Sequence, residues 1–216
     1  MDHTLKKIIA IVASVLVLVV LWYGTYLPMH KSQAFIATLG SLNSIKSIQD
    51  FETAFSVPLD IPSPIGQEEL IRNLTNVVMG FVAQNQNPQA TQALMDYIMS
   101  YYQPIVSRGK GMSFEQDLYI LGALNQSAFS ATKDPKYLAA AEQYFTQGYQ
   151  LGPKRPQFLY SLMQLYMLEI RPADVKRVGD QILSQWPNDL ATKTSLDQFF
   201  AAQQTAKPAV KQPKAR

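Results

Sequence analysis

The chain has 216 residues, a formal net charge of +3 and no cysteine. Its length suits one domain with appendages, and the missing thiols exclude disulfides, thiolate nucleophiles and cysteine metal ligands. The small charge, with much of its positive excess at the C-terminus, supplies no nucleic-acid-binding face, while 47% apolar residues suffice for a packed core.

Residues 1–7 read as a short tail before the densest apolar block, residues 8–28, which reads as a transmembrane anchor. From Ile8 to Leu27 the block holds no charge and no proline. Twenty helical residues span roughly 30 Å, the hydrocarbon thickness of a bilayer. Trp22, Tyr23 and Tyr26 gather at its C-terminal end, where amphipathic rings favour the membrane–water interface. Pro28 is expected to end the helix. A cleaved signal peptide would have a shorter apolar region and a small-residue cleavage site, whereas bulky YGTYLPMHK follows here. A buried core helix is rarely this apolar on every face.

Lys6 and Lys7 precede the block, and Lys31 and Lys46 follow it. The positive-inside rule then places the N-terminus in the cytoplasm and everything after Pro28 outside it. His3 and His30 flank the block. On that topology they lie on opposite sides and cannot share a metal or a proton.

Residues 32–112 read as N-terminal helices. Residues 32–56 carry Phe35, Leu39, Leu42, Ile48, Phe51 and Phe55 at helical spacing, with a break near Ser41–Ser47. Val57 to Gly66 is expected to be a loop, because three prolines disfavour helix there. A helix follows from Gln67 to Gln84, with Glu68 and Glu69 in its favourable first turn. Its inner stripe is Leu70, Leu74, Val77, Val78, Phe81 and Val82. Asn87 is expected to cap the next helix, with Pro88 in its first turn, running to about Val106.

Residues 113–203 form the C-terminal part. Ser113 and Gln116 have the spacing of a capping box, opening a helix that runs to Phe129. Residues 131–135 break it. Further helices are expected over 136–151, 157–169, 173–185 and 190–203. The tail, residues 205–216, is basic, carries two prolines and reads as disordered. No stretch alternates with period two between turns, so no sheet is expected.

Pro153 and Pro187 lie 34 residues apart, as do Leu162 and Leu196, and Tyr166 and Phe200. This period in helical sequence is that of the tetratricopeptide (TPR) repeat, and the segment from Ser113 to Gln203 resembles that family. Leu118, Leu121 and Gly122 match its first helix, and Ala141, Phe145 and Gly148 its second. Asn125 and Gly179 stand where the family has aromatics. In the unit ending at Pro153, the stretch between the helices is about seven residues longer than the family's period. The last helix is expected to be a cap, and residues 32–112 a degenerate, TPR-like continuation. The expected fold class is therefore all-α: one N-terminal transmembrane helix, then a short TPR-like α-solenoid of antiparallel helix pairs.

The resemblance implies binding rather than catalysis, with a protein or peptide partner in the concave groove. Since the first helix of each pair lines that groove in the family, Tyr119, Asn125 and Gln126 are the candidate partner-binding residues. No catalytic, cofactor or metal constellation is legible: no Gly-rich phosphate loop, nucleophile elbow or metal-spaced cluster. Two glycosylation triplets, at Asn73 and Asn125, fall inside expected helices.

The architecture is similar to the ancillary translocon subunits of bacteria, in which one anchor carries periplasmic TPRs. FETAF, EELIRNL and the run from Lys136 to Tyr166 also look like TPR segments appended to O-antigen ligase and polymerase proteins. The expectation is thus a membrane-anchored interaction module or scaffold of a bacterial envelope complex. Two alternatives stay open: a pilin-like filament subunit, and an accessory subunit of a polysaccharide assembly enzyme.

Overall fold

The computed structural model describes residues 3–85 and 87–206. It is all-helical, with no strand among the described residues. Helix α1 (His3–Leu21) passes through a π-helical turn (Trp22–Tyr26) into α2 (Leu27–Gly40). Together they make one 38-residue rod, long and apolar enough to span a membrane. At a rise of about 1.5 Å per residue the rod is roughly 57 Å long. Residues 3–7 of the expected N-terminal tail belong to it and are helical, and residues 1–2 lie outside the described residues.

Pro28 does not end the helix, contrary to the sequence expectation. A proline clashes with the carbonyl four residues back and leaves it without a donor, here that of Gly24. The π turn surrounds that position: the Leu27 N–H bonds to the Trp22 carbonyl, five residues back. The widened turn carries the chain past the proline without a break.

After a 3₁₀ turn (Leu42–Ser44) comes α3 (Ile48–Asp60), capped by Ser47, which accepts from the Asp50 N–H at 3.0 Å. Here too a proline sits inside helix: Pro58 is buried in α3, and the expected loop shrinks to Ile61–Gly66. The carbonyl that Pro58 leaves without a donor belongs to Ala54, and the Thr38 hydroxyl lies 3.5 Å from it.

The remaining helices are α4 (Gln67–Gln84), α5 (Pro88–Arg108), α6 (Phe114–Thr132), α7 (Pro135–Leu151), α8 (Pro156–Leu168), α9 (Pro172–Gln185) and α10 (Leu190–Ala206). Asn87 caps α5 as its sequence suggests, accepting from the Gln89 and Ala90 N–H groups at 2.9 and 3.2 Å. Ser113 precedes α6 but makes no capping box. Its hydroxyl donates instead to Glu68 Oε2 at 2.6 Å, tying α6 to α4. Phe81 lies outside the core stripe of α4, 39% exposed and edge-on to Phe51. Of the C-terminal tail, Thr205 and Ala206 belong to α10, and the rest lies outside the described residues.

Long-range contacts reveal a regular stack. Tyr97 and Tyr101 of α5 bond to Glu52 and Ser56 of α3. Arg72 of α4 reaches Asp117 of α6, and Tyr137 of α7 reaches Gln92 of α5. Each of these pairs is 45 residues apart. A constant offset between alternate helices makes them parallel. Neighbouring helices run antiparallel, as Lys31 against Leu59 and Thr38 against Ala54 show. Antiparallel pairs stacked in parallel register are an α-solenoid.

Beyond α7 the offset shortens. Gln181 of α9 meets Tyr149 of α7, 32 residues back, and Tyr160 meets Asp189, 29 residues on. Here the 34-residue sequence spacing has a backbone counterpart. Gly152 and Trp186 end α7 and α9 with nearly the same dihedrals, φ −133°, ψ 67° and φ −129°, ψ 78°. Their N–H groups close onto Gly148 and Ile182. Three residues later, Arg155 and Asp189 close the same turn onto their carbonyls.

The extra residues of the Pro153 unit are not in its connector, as the sequence implied. Only Lys133 and Asp134 separate α6 from α7, and the surplus lies inside helices of 19 and 17 residues. About seven residues make two helical turns, so the insertion leaves each face where it was.

Two buried clusters result. The first runs from Phe35 to Tyr137 and the second from Leu138 to Ile182, meeting on α7. Close approach in the second needs glycine. A Cβ on Gly148 would lie 2.2 Å from the fully buried Phe158 ring.

Candidate functional site

The first helices of the pairs, α4, α6 and α8, present one common face. Glu69, Arg72, Asn73 and Asn76 of α4 line a cleft of about 540 Å³ with Gln116, Tyr119 and Ile120 of α6 and Gln157 of α8. Along the same two helices α6 and α8, Gln126, Gln164, Met167 and Leu168 line a second cleft of about 360 Å³. Residues 116, 119/120 and 126 recur at helical spacing on α6, as do 157, 164 and 167/168 on α8, so each set shares a face. Glu69 and Asn73 also border a 720 Å³ cleft against α2, which extends this face back to the rod.

Tyr119 is half-buried. Its ring lies 6.1 Å from Phe145 and 6.0 Å from Phe158, edge-on to the latter, so packing holds it at the cleft wall. Gln126 is half-buried in the second cleft. Asn125 is a correction to the sequence reading. Only 5% of it is exposed, and its amide donates to the Leu121 carbonyl at 2.8 Å, one turn back in its own helix. The polar residue that replaces an aromatic is therefore spent on backbone, and it takes no part in the face. The acceptor asparagine of one glycosylation triplet is thus buried, and Thr75 of the other triplet is fully buried.

Sequence reasoning missed the carboxamides of Asn73, Asn76, Gln116, Gln157 and Gln164. Their signal was present as amides recurring on the polar stripes of three successive first helices. It was passed over in favour of aromatic rings.

Behind the cleft lies an ion pair. Arg72 donates to Asp117 Oδ1 at 2.9 Å, and Asp117 is fully buried. Burial pushes the Asp117 carboxyl up, and Arg72 partly offsets it. Asp117 Oδ2 and the hydroxyl of the fully buried Tyr102 find no protein partner. Burial likewise drives the Tyr102 phenol upward. Removing one partner of such a pair would strand a buried charge, and the pair ties α4 to α6.

At the far end of the stack, Arg171 binds Glu142, Glu169 and Asp174 at 2.8–3.0 Å and lies 4.3 Å over the Tyr166 ring. The Tyr166 phenol is pushed up to about 12, by burial first.

The face is thus open, lined mainly by neutral amides, and bordered by one acid and one base. No group of three His, Cys, Asp or Glu side chains among the described residues could hold a metal. Carboxamides donate and accept at once, which suits recognition of peptide bonds or hydroxyls. Comparison with protein-family models, with curated proteins and with solved structures finds no match.

Proposed function

We propose that this chain is a membrane-anchored docking protein whose α4–α6–α8 face holds an extended segment of a partner protein. The observation that carries the reading is the run of six carboxamides on that face: Asn73, Asn76, Gln116, Gln126, Gln157 and Gln164. A peptide in extended form presents unpaired N–H and C=O groups along its length, and amides match both. Tyr119 adds a rigid ring with a hydroxyl, the kind of contact that anchors interfaces at low entropic cost. The face stays open, whereas catalysis usually needs a site that closes out water.

On this reading the chain is TPR-like in use as in layout. The rod spans the membrane with its N-terminus in the cytoplasm, and the solenoid works outside, scaffolding a complex of a bacterial envelope.

The test places a photoreactive residue at Gln116 or Gln157 in the full-length protein, in intact cells. A discrete crosslinked heterologous protein is expected, lost when Tyr119 is replaced by alanine. No product would overturn the reading, and products with itself alone would favour a filament subunit. Protease access in spheroplasts checks topology: a solenoid protected until the membrane is opened would reverse the orientation.

A further inference from the structure

The solenoid is not held away from the membrane by a linker. The apolar span ends at Leu27, and Lys31, one turn later, is already buried at 3% exposure. Its ammonium donates to the Leu59 carbonyl at 2.9 Å and the Ile61 carbonyl at 2.7 Å. Those carbonyls lie at the end of α3, so the rod is clamped to the start of the α3–α4 loop.

This contact fixes a height. Lys31 lies four residues past Leu27, about 6 Å along the helix. Side chains on a helix lean toward its N-terminus, so the bound loop sits at or below that height. A headgroup layer is roughly 5–7 Å thick on each side of the hydrocarbon. The α3–α4 loop is therefore level with the headgroups. Ile65 confirms the level, since it lines one cleft with Pro28 and Lys31.

The α5–α6 loop comes to the same level. Met112 and Arg108 share a cleft with Pro64 and Ile65, and Arg108 pairs with Glu68 across it. Besides Lys110, the large side chains these loops expose are apolar: Ile65 is 61% exposed and Met112 fully so. Their charges balance. Asp60, Glu68, Glu69 and Asp117 oppose Lys31, Arg72, Arg108 and Lys110, four against four.

From this we infer that the loops Ile61–Gly66 and Gly109–Ser113 form a second membrane contact. Ile65 and Met112 enter the lipid interface beside Trp22, Tyr23 and Tyr26 of the rod. The contact is with zwitterionic lipid and apolar in origin, because the local charges cancel. It rests on the reading of the rod as a membrane span. It would hold the N-terminal ends of α4 and α6 at the bilayer surface, with the amide-lined face beginning beside the lipid.

The absence of native cysteine allows a clean test. Single nitroxide labels go onto Ile65→Cys, Met112→Cys, Leu18→Cys in the span and Asn43→Cys in the turn at the opposite end of α2. The full chain is placed in phosphatidylcholine nanodiscs, and collision with oxygen and with a nickel chelate is measured. Labels at 65 and 112 should be severalfold more shielded from nickel than the label at 43, with or without anionic lipid. If 18 is shielded and 65 and 112 are as open as 43, this inference falls and the anchor stands. If 18 itself is open to nickel, both fall. Shielding that appears only with anionic lipid would overturn the apolar contact in favour of a charged one.

Discussion

Two halves of one stack differ in pitch along the chain. From α3 to α7 equivalent residues lie 45 apart, and from α7 to α10 they lie 29–34 apart. Helix length accounts for this. In the first half α4, α5 and α6 have 18, 21 and 19 residues, whereas α8 and α9 have 13 and 14. A stack needs the correct faces to meet, and whole added turns preserve faces. The repeat is therefore a property of packing, and only its shorter version leaves a sequence period that matches a known length.

The two halves also have separate buried clusters, and substitutions can test how separate they are. Leu74→Ala, at a fully buried position of the first cluster, should cost about 4 kcal/mol. Hydrogen exchange should then rise from α3 to α6 while α8 and α9 keep their protection. Equal loss in both halves would show one cooperative unit. Gly148→Ala sits where the second half begins. Its new Cβ meets a buried ring that cannot retreat, so about 3 kcal/mol of destabilisation is expected. Here α8 to α10 should exchange first, as followed by mass spectrometry.

Lys31→Met removes the clamp between rod and first half, with a loss of about 2 kcal/mol. Thermal unfolding in detergent should show it, and an unchanged midpoint would mean that the clamp carries no stability. Ile170→Gly should act the other way in the second half. Ile170 is exposed with φ 54°, just past the end of α8. Its N–H bonds to Met167 O and that of Arg171 to Tyr166 O, the two bonds of a Schellman ending. A β-branched residue is strained there and glycine is not, so a gain of about 1 kcal/mol is expected in chemical denaturation.

Acid should separate the halves most gently. The Asp117 carboxyl is raised by burial. Such a group contributes stability that is full below its unfolded value of ~4 and is lost as pH rises through its folded value. The Asp189 carboxyl, with the Tyr160 hydroxyl and then the Thr192 hydroxyl and N–H donating to it, is held down to about 2. Its contribution is present above ~4 and is lost as pH falls through about 2. Between those values α10 should fray at its start while α4–α6 holds or tightens. Exchange measured across that range would show the reverse order if the cap did not depend on Asp189.

Much of the layout was legible because it is written locally. The amphipathic stripe of α4, the Asn87 cap and a break between α6 and α7 all follow from neighbouring residues, although the break expected over 131–135 is only Lys133 and Asp134. The failures share a cause. Pro28 and Pro58 read as helix breakers, but one is absorbed by a π turn and the other is buried inside α3. Ser113 reads as half of a capping box, yet its hydroxyl finds Glu68, 45 residues away. Asn125 reads as a groove residue because its sequence position is right, but which side of α6 meets a neighbour depends on helices far along the chain. The carboxamides went unread because a single amide on a polar stripe means nothing, and only the stack brings six to one face.

The unbroken rod has a mechanical consequence. With no hinge at Pro28 and a clamp at Lys31, the apolar rod and the solenoid turn as one lever. A helix longer than the hydrocarbon around it tilts to hide the excess. If the rod spans a membrane as proposed, thinning the bilayer would swing the carboxamide face through the same angle, and with it the direction open to a docking partner.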